Sequence, residues 1–284
     1  MKDALIVSLL SIAPRRTGAR GMGWIARRRA SRLMARWFVR AYAVDMEEAA
    51  GDLADYPTLE ALFSRPLKVG ARPVDDRPHV LVSPVDGRVA AVGRTRNGRI
   101  AVAPRREIDV AALLGDQLTE ERDVAVLYLS PRDYHRVHVP REGVAVAWKY
   151  VPGTLWPVFP AAVRRVRGLF TRNERAVVRM ETDHGPLDIA LVGAFGVGRI
   201  TLSLCDLVTN SRRHPTYREA RLEPHRPLER GQELGIFHLG STVVLAAPPG
   251  RWRWTIQHGD PVRVGRAIGV ATAALPGPIE GKAQ

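Results

Sequence analysis

From about residue 80 onward, the chain is written as short apolar runs rich in β-branched residues, each closed by Gly, Pro or Asp. The clearest are Arg88–Val92, Val124–Leu129, Gly143–Tyr150, Ala176–Glu181, Leu187–Val192, Thr242–Ala247 and Trp252–Ile256. Such runs are short for core helices, and branching at Cβ suits a pleated backbone, so the pattern predicts a largely β body with crossover loops. Ile108–Leu114, after Glu107, reads as a small helix within it. Leu275–Gln284, with two Pro and two Gly, reads as a loose tail.

The first 80 residues follow a different rule. Trp24, Ile25, Leu33, Met34, Trp37, Phe38, Ala41 and Tyr42 recur at three- and four-residue steps, which places them near one face of a helix. Arg27, Arg28, Arg29, Arg32, Arg36 and Arg40 occupy the rest of its circumference. A helix of this kind is suited to a lipid interface, with Trp24, Trp37 and Phe38 in the apolar boundary and Arg28 and Arg32 near phosphates. Docking of the same face on the β body is the competing reading. Further on, Tyr56–Phe63 suggests a helix begun near Thr58, and the two prolines and glycine of Ser64–Pro73 predict a loop. The apolar stretch Ala4–Ala13 is too short to span a bilayer. The arginines behind it, without a clear cleavage site, favour its retention over removal as a secretion signal.

Charge sharpens this division. The 284 residues carry a formal charge of +14, and residues 1–44 hold ten bases against one acid, so +9 of it lies at the N-terminus. Nucleic acid, an anionic membrane and an acidic substrate are all compatible with the total. The body has little excess charge, no zinc-finger spacing and no glycine-rich phosphate loop, which argues against nucleic acid. Gly196-Val197-Gly198 lacks the rest of a nucleotide fingerprint and reads as a strand turn. The single cysteine, Cys205, rules out an intramolecular disulfide and a multi-cysteine zinc site, and its apolar neighbours suit the core.

Three segments concentrate chemistry. Tyr128–Pro140 contains His135 and His138, which can serve as base and acid or ligate a metal. In a strand, residues three apart face opposite sides, and no third ligand accompanies the pair, so no metal site is assigned. Ser83–Val89 places Asp86 on a Pro/Gly turn, as a turn cap or as the acidic member of a Ser-His-Asp arrangement. Leu234–Val244 places Ser241 after Gly240 and before a β-branched run, without the GxSxG pattern of an α/β-hydrolase elbow. Phe237 in that segment reads as core, and His238 as support for the turn.

Together, Ser83–Val89, Tyr128–Pro140 and Leu239–Val243 resemble the phosphatidylserine decarboxylase proenzymes of the long bacterial membrane-associated type. Weaker likeness comes from Tyr42–Glu47, Leu62–Pro73 and Phe195–Gly198, and the resemblance spans about Ala26 to Ala271. It implies an α+β fold, a mainly antiparallel β catalytic body (residues 81–274) preceded by N-terminal amphipathic helices (residues 1–80) and followed by the tail 275–284. It further implies self-processing between Gly240 and Ser241, with His138 as base for Ser241, Asp86 orienting His138, and His135 serving proton transfer in decarboxylation. Ser241 would become a covalent pyruvoyl cofactor, an electron sink for converting phosphatidylserine to phosphatidylethanolamine and carbon dioxide. The products would be a β chain ending at Gly240 and a 44-residue α chain. The implied partners are phosphatidylserine, an anionic membrane surface and the two processed chains, with a homodimer compatible and no nucleic acid; the implied location is peripheral, on the cytoplasmic face of the cell membrane. An ether-lipid serine decarboxylase, a Ser-His-Asp hydrolase and a noncatalytic lipid-binding β protein are the alternatives.

Overall fold

The computed structural model describes residues 15–117, 120–196, 198–210, 217–238 and 240–272. The expectations for Ala4–Ala13, Val197, Leu239 and the tail 275–284 lie outside the described residues. Helices are α1 (Arg15–Ala26), α2 (Arg32–Tyr42), α3 (Leu59–Phe63), α4 (Val110–Leu114), α5 (Pro160–Arg165) and α6 (Leu169–Arg172). The strands are β1 (Val80–Val82), β2 (Gly87–Arg94), β3 (Arg99–Ala103), β4 (Arg106–Asp109), β5 (Asp123–Leu129), β6 (Arg136–His138), β7 (Gly143–Val151), β8 (Arg175–Thr182) and β9 (Gly185–Gly193). They continue with β10 (Ile200–Leu202), β11 (Cys205–Val208), β12 (Arg218–Leu228), β13 (Glu233–Phe237), β14 (Ser241–Ala247), β15 (Trp252–Trp254), β16 (Pro261–Val262) and β17 (Ala267–Ala271).

One eight-stranded antiparallel sheet, in the order β12-β7-β8-β9-β14-β5-β2-β16, forms the centre. Its middle strands are apolar on both faces, which is why they read as continuous hydrophobic runs. Along β14, Val243, Leu245 and Ala247 enter one core, and Val244 and Ala246 enter the other. The first core lies under the smaller sheets β11-β10-β13-β6 and β1-β17-β15, since Val137, Phe237, Leu81 and Ile268 join it. Residues of α4, α5 and α6 share the second core. Buried Arg175 secures that layer by donating to the carbonyls of Ala112 and Leu113 at the end of α4 and of Thr171 and Asn173 at the end of α6.

The N-terminal helical face is not continuous. A 3₁₀ turn, Arg29–Ser31, separates α1 from α2. Buried Ser31 holds the junction: its Oγ donates to Ala26 O at 2.9 Å and accepts from the Leu59 N–H, also at 2.9 Å. The side chain of Thr58 caps α3, as its sequence context predicts. Phe38 departs from expectation, because it is buried in a small cluster with Ala35, Leu62 and Phe63 and is not a lipid-facing residue. Adjacent helical positions point about 100° apart, and packing on Phe63, ring centroids 6.0 Å apart, takes Phe38 inward. Trp24 and Trp37 remain 49% and 62% exposed, with Ile25, Leu33 and Met34 exposed beside them. Arg28 and Arg32 are also exposed, and the Arg28 guanidinium lies 4.2 Å from the Trp24 ring centre. No helix among the described residues is long and apolar enough to cross a membrane.

Candidate active site

Ser241 opens β14 in the middle of the main sheet, paired to Leu129 of β5 on one side and Gly193 of β9 on the other. Its position in the alternation puts its side chain on the same face as Val243 and Leu245, toward the first core. The residue is fully buried, and its Oγ has no hydrogen-bond partner. Gly240, just before it, has φ of +61°, a left-handed conformation that a side chain makes costly. A left-handed entry that glycine permits and a buried free hydroxyl thus sit on either side of one peptide bond.

The two histidines differ sharply. His135 is fully buried against Phe63, ring centroids 3.9 Å apart. Its Nδ1–H donates to the Asp133 carbonyl at 2.8 Å, which leaves Nε2 unprotonated and without a partner. Burial drives its pKa down to about 3 despite that hydrogen bond. His138 lies in β6 and is half-buried. Its Nδ1–H donates to Gly231 O at 2.8 Å, while Nε2 accepts from the Tyr134 hydroxyl at 3.0 Å. Burial lowers its pKa too, partly offset by the Gly231 carbonyl.

Asp86 does not orient His138 here. Its carboxylate is gripped by Arg72, Nε–Oδ1 3.0 Å and Nη2–Oδ2 2.5 Å, and accepts the Val264 N–H at 2.9 Å. With its lone pairs committed to a guanidinium and a backbone donor, the carboxylate leaves the His138 tautomer to be set by Gly231. Burial pulls the Arg72 guanidinium down, but Asp86 and Glu48 outweigh it and raise its pKa. Gly87 is required next to Asp86 because an added Cβ would meet the Tyr128 carbonyl oxygen at 2.2 Å, so β2 can approach β5 only without a side chain there.

Beside Asp86 is a cavity of about 540 Å³, whose lining includes Arg65, Arg72, Arg88, Arg132, Tyr128 and Tyr134. Burial pushes the hydroxyls of Tyr128 and Tyr134 up to about 12, so both stay protonated donors. The sequence pointed to Tyr134 only through the histidine motif and to Arg72 only through the Leu62–Pro73 pattern. Phe63 and Arg65 bring the N-terminal layer into the site: Arg65 donates to Arg132 O at 3.1 Å, and Arg136 donates to Ser64 O at 3.1 Å. His238 is buried near the turn, as a supporting residue would be, Phe237 belongs to the first core, and Cys205 packs on that core half-buried.

The arrangement suits a prosthetic group made from the chain itself. The hydroxyl of Ser241 and Nε2 of His135 are both buried and unpartnered, which is uncommon for buried polar atoms. Among the described residues, no group of three or more His, Cys, Asp or Glu side chains is placed to hold a metal ion.

The family model described as phosphatidylserine decarboxylase matches residues 59–270. A phosphatidylserine decarboxylase proenzyme from Anaeromyxobacter sp. (strain K) is 42% identical over 95% of this chain and 100% of its own length. The proenzyme of Myxococcus xanthus is 42% identical over 84% of this chain and 86% of its own. That of Bordetella avium is 40% identical over 94% and 95%, respectively.

Proposed function

The chain belongs to the phosphatidylserine decarboxylase family, and on that premise we propose that Ser241 is its self-processing residue, with Asp86, His135 and His138 as the other residues of the site. The protein is a pyruvoyl-dependent decarboxylase that converts phosphatidylserine to phosphatidylethanolamine and carbon dioxide, and it is made as a precursor that splits into α and β chains. The observation that carries the residue assignment is the buried, unpartnered Ser241 Oγ after left-handed Gly240.

Ser241 Oγ attacks the Gly240 carbonyl carbon, and the C–N bond breaks as the nitrogen takes up a proton, leaving an ester. Loss of the Ser241 α-proton then expels the Gly240 carboxylate; water enters, ammonia leaves, and a ketone remains at the new N-terminus. The pyruvoyl group supplies the electron sink for loss of carbon dioxide. A base must take the hydroxyl proton, and here geometry and chemistry favour different histidines. Nε2 of His135 is free but belongs to a ring held to about 3, which accepts a proton poorly. His138 is less severely shifted, and we assign it as the base, with Tyr134 moving off its Nε2. His135 then serves proton transfer during turnover. Asp86 supports His138 electrostatically and fixes Arg72 at the cavity wall. The arginine-lined cavity suits the phosphate and carboxylate of a serine phospholipid headgroup.

Trp24, Trp37, Arg28 and Arg32 are proposed to meet anionic lipid on the cytoplasmic face, with the protein peripheral to the membrane; Phe38 is excluded by its burial. The proposed domain limits are 1–80 for the membrane-associating region and 81–274 for the catalytic body, and a homodimer is proposed as the assembly. Intact-mass measurement with a carbonyl reagent tests the core of this reading. Chains of 240 and 44 residues, the shorter bearing a reactive carbonyl, are expected, whereas Ser241→Ala remains a single chain. An active protein that retains one intact chain with an ordinary Ser241 would refute it. His138→Ala is expected to stay largely unprocessed, while His135→Ala cleaves but turns over poorly; the reverse order would make His135 the processing base. Assays with diacyl and ether-linked serine lipids separate the two substrate classes.

A further inference from the structure

Glu60 belongs to the N-terminal layer, yet its closest side-chain partner, His238, lies three residues before Ser241. The residue sits on α3, 7% exposed, with Oε1 2.8 Å from Nδ1 of His238 and 3.3 Å from Nη1 of Arg199. The other ring nitrogen of His238, Nε2, is 3.2 Å from Thr201 Oγ1 on β10, and its backbone N–H donates to Arg199 O at 2.9 Å. His238, two residues before Gly240, is therefore hydrogen-bonded at Nε2 and at its backbone, and its Nδ1 lies against the Glu60 carboxylate. Burial alone would raise the carboxyl of Glu60, but His238 and Arg199 more than offset that and keep it ionised. A buried carboxylate is tolerated only with such partners, and removing one is strongly penalised.

The same short segment reaches the histidine side of the site. Phe63 stacks on His135, Ser64 O accepts from Arg136, and the first N–H of α3 is tied to Ser31 at the α1–α2 junction. One short segment thus touches both the His135–Arg136 stretch and His238, three residues before Ser241.

We propose that Glu60 is a positioning residue for self-processing: acting through His238, it fixes the approach to the Gly240–Ser241 bond and makes maturation depend on docking of the N-terminal layer. This rests on the assignment of Ser241 as the processing residue. Attack within a peptide turn requires near-contact geometry, and a displacement of about 1 Å can cost on the order of 10²-fold in rate.

The test is a cleavage time course of the full-length precursor made by cell-free synthesis, read by denaturing electrophoresis and intact mass. Glu60→Gln keeps the shape of the side chain and removes its charge; it is expected to slow cleavage at least ~10-fold, within the range for lost positioning. His238→Leu should slow it comparably, and the double variant no further than the slower single. His238→Lys, which places a cationic donor opposite Glu60, should cleave at near the wild-type rate. Chains of Glu60→Gln that have matured should decarboxylate with kcat close to wild type. Wild-type cleavage in Glu60→Gln, or multiplicative loss in the double variant, would overturn the proposal. So would slow cleavage accompanied by an equal loss of kcat in the matured chains, which reduces Glu60 to packing. Failure of the wild-type chain to split, or splitting of Ser241→Ala, would instead refute the processing assignment itself.

Discussion

Replacing His135 with Gln should remove a specific acid sensitivity of the fold. The imidazole is fully buried, and its pKa falls from 6.5 to about 3 because the charged ring would have to leave water. The folded state therefore binds fewer protons than the unfolded chain between about pH 6.5 and pH 3. For a depressed histidine the stability is fully present above 6.5 and is lost as pH falls toward 3. At pH 5 the unfolded chain is protonated here and the native chain is not, so the contribution lost between pH 7 and 5 is about 2 kcal/mol. Below pH 3 the loss levels off near 5 kcal/mol by the same relation. The measurement is urea unfolding of the Ser241→Ala precursor with and without His135→Gln at a series of pH values, compared through midpoints at constant m. His138 and His184 also titrate low, so only the difference between the two proteins isolates His135. Parallel stability curves would show that His135 is protonated or solvated in the native state, and would remove the reason for assigning the processing base to His138.

Trp37→Ala should weaken binding to anionic vesicles in flotation assays and leave stability within about 0.5 kcal/mol, since the ring is 62% exposed. Phe38→Ala should do the opposite, costing about 3 kcal/mol or more in unfolding experiments with vesicle affinity retained. Arg175→Met should destabilise by at least about 3 kcal/mol, because the carbonyls of Ala112, Leu113, Thr171 and Asn173 lose a buried charged donor. Asp86→Asn should release Arg72, whose raised pKa reflects the pair, and reduce both processing and turnover in the cleavage and carbon dioxide assays. The processed chains should co-elute in native size exclusion and separate only in denaturant.

The central strands were legible because they are apolar on both faces: Val124–Leu129, Leu187–Val192 and Thr242–Ala247 correspond to β5, β9 and β14 nearly residue for residue. β12 gave no such signal, since an edge strand containing Pro224 and Pro227 and many charges looks like loop. The helix expected over Ile108–Leu114 begins only at Val110, where Asp109 caps the Ala112 N–H at 3.0 Å and Ile108 pairs instead with Ile100. In the proposed site, the short motifs point to Asp86, His135, His138 and Ser241. They did not reveal that Arg72, fourteen positions from Asp86, takes its carboxylate, or that Glu60 pairs with His238 across 178 residues of chain. Those partners depend on how the N-terminal layer seats on the sheet, and neither charge pattern nor periodicity encodes that.

The proposed position of the scissile bond would explain how a precursor can be cut and keep its fold. Cleavage before Ser241 severs the chain at a left-handed glycine that no strand includes, so no rung of the main sheet is lost. The segment released begins with β14, which pairs with both β5 and β9 from Ser241 onward and is buried along its whole length. Downstream, β16 pairs with β2, and β15 and β17 complete a sheet with β1. Dissociating the 44-residue chain would open the central sheet on both sides of β14 and expose both cores, which is comparable to unfolding. The cut therefore frees a new N-terminus without loosening the strand that carries it. A strand held on both sides is also what keeps that terminus fixed once its covalent tether to Gly240 is gone.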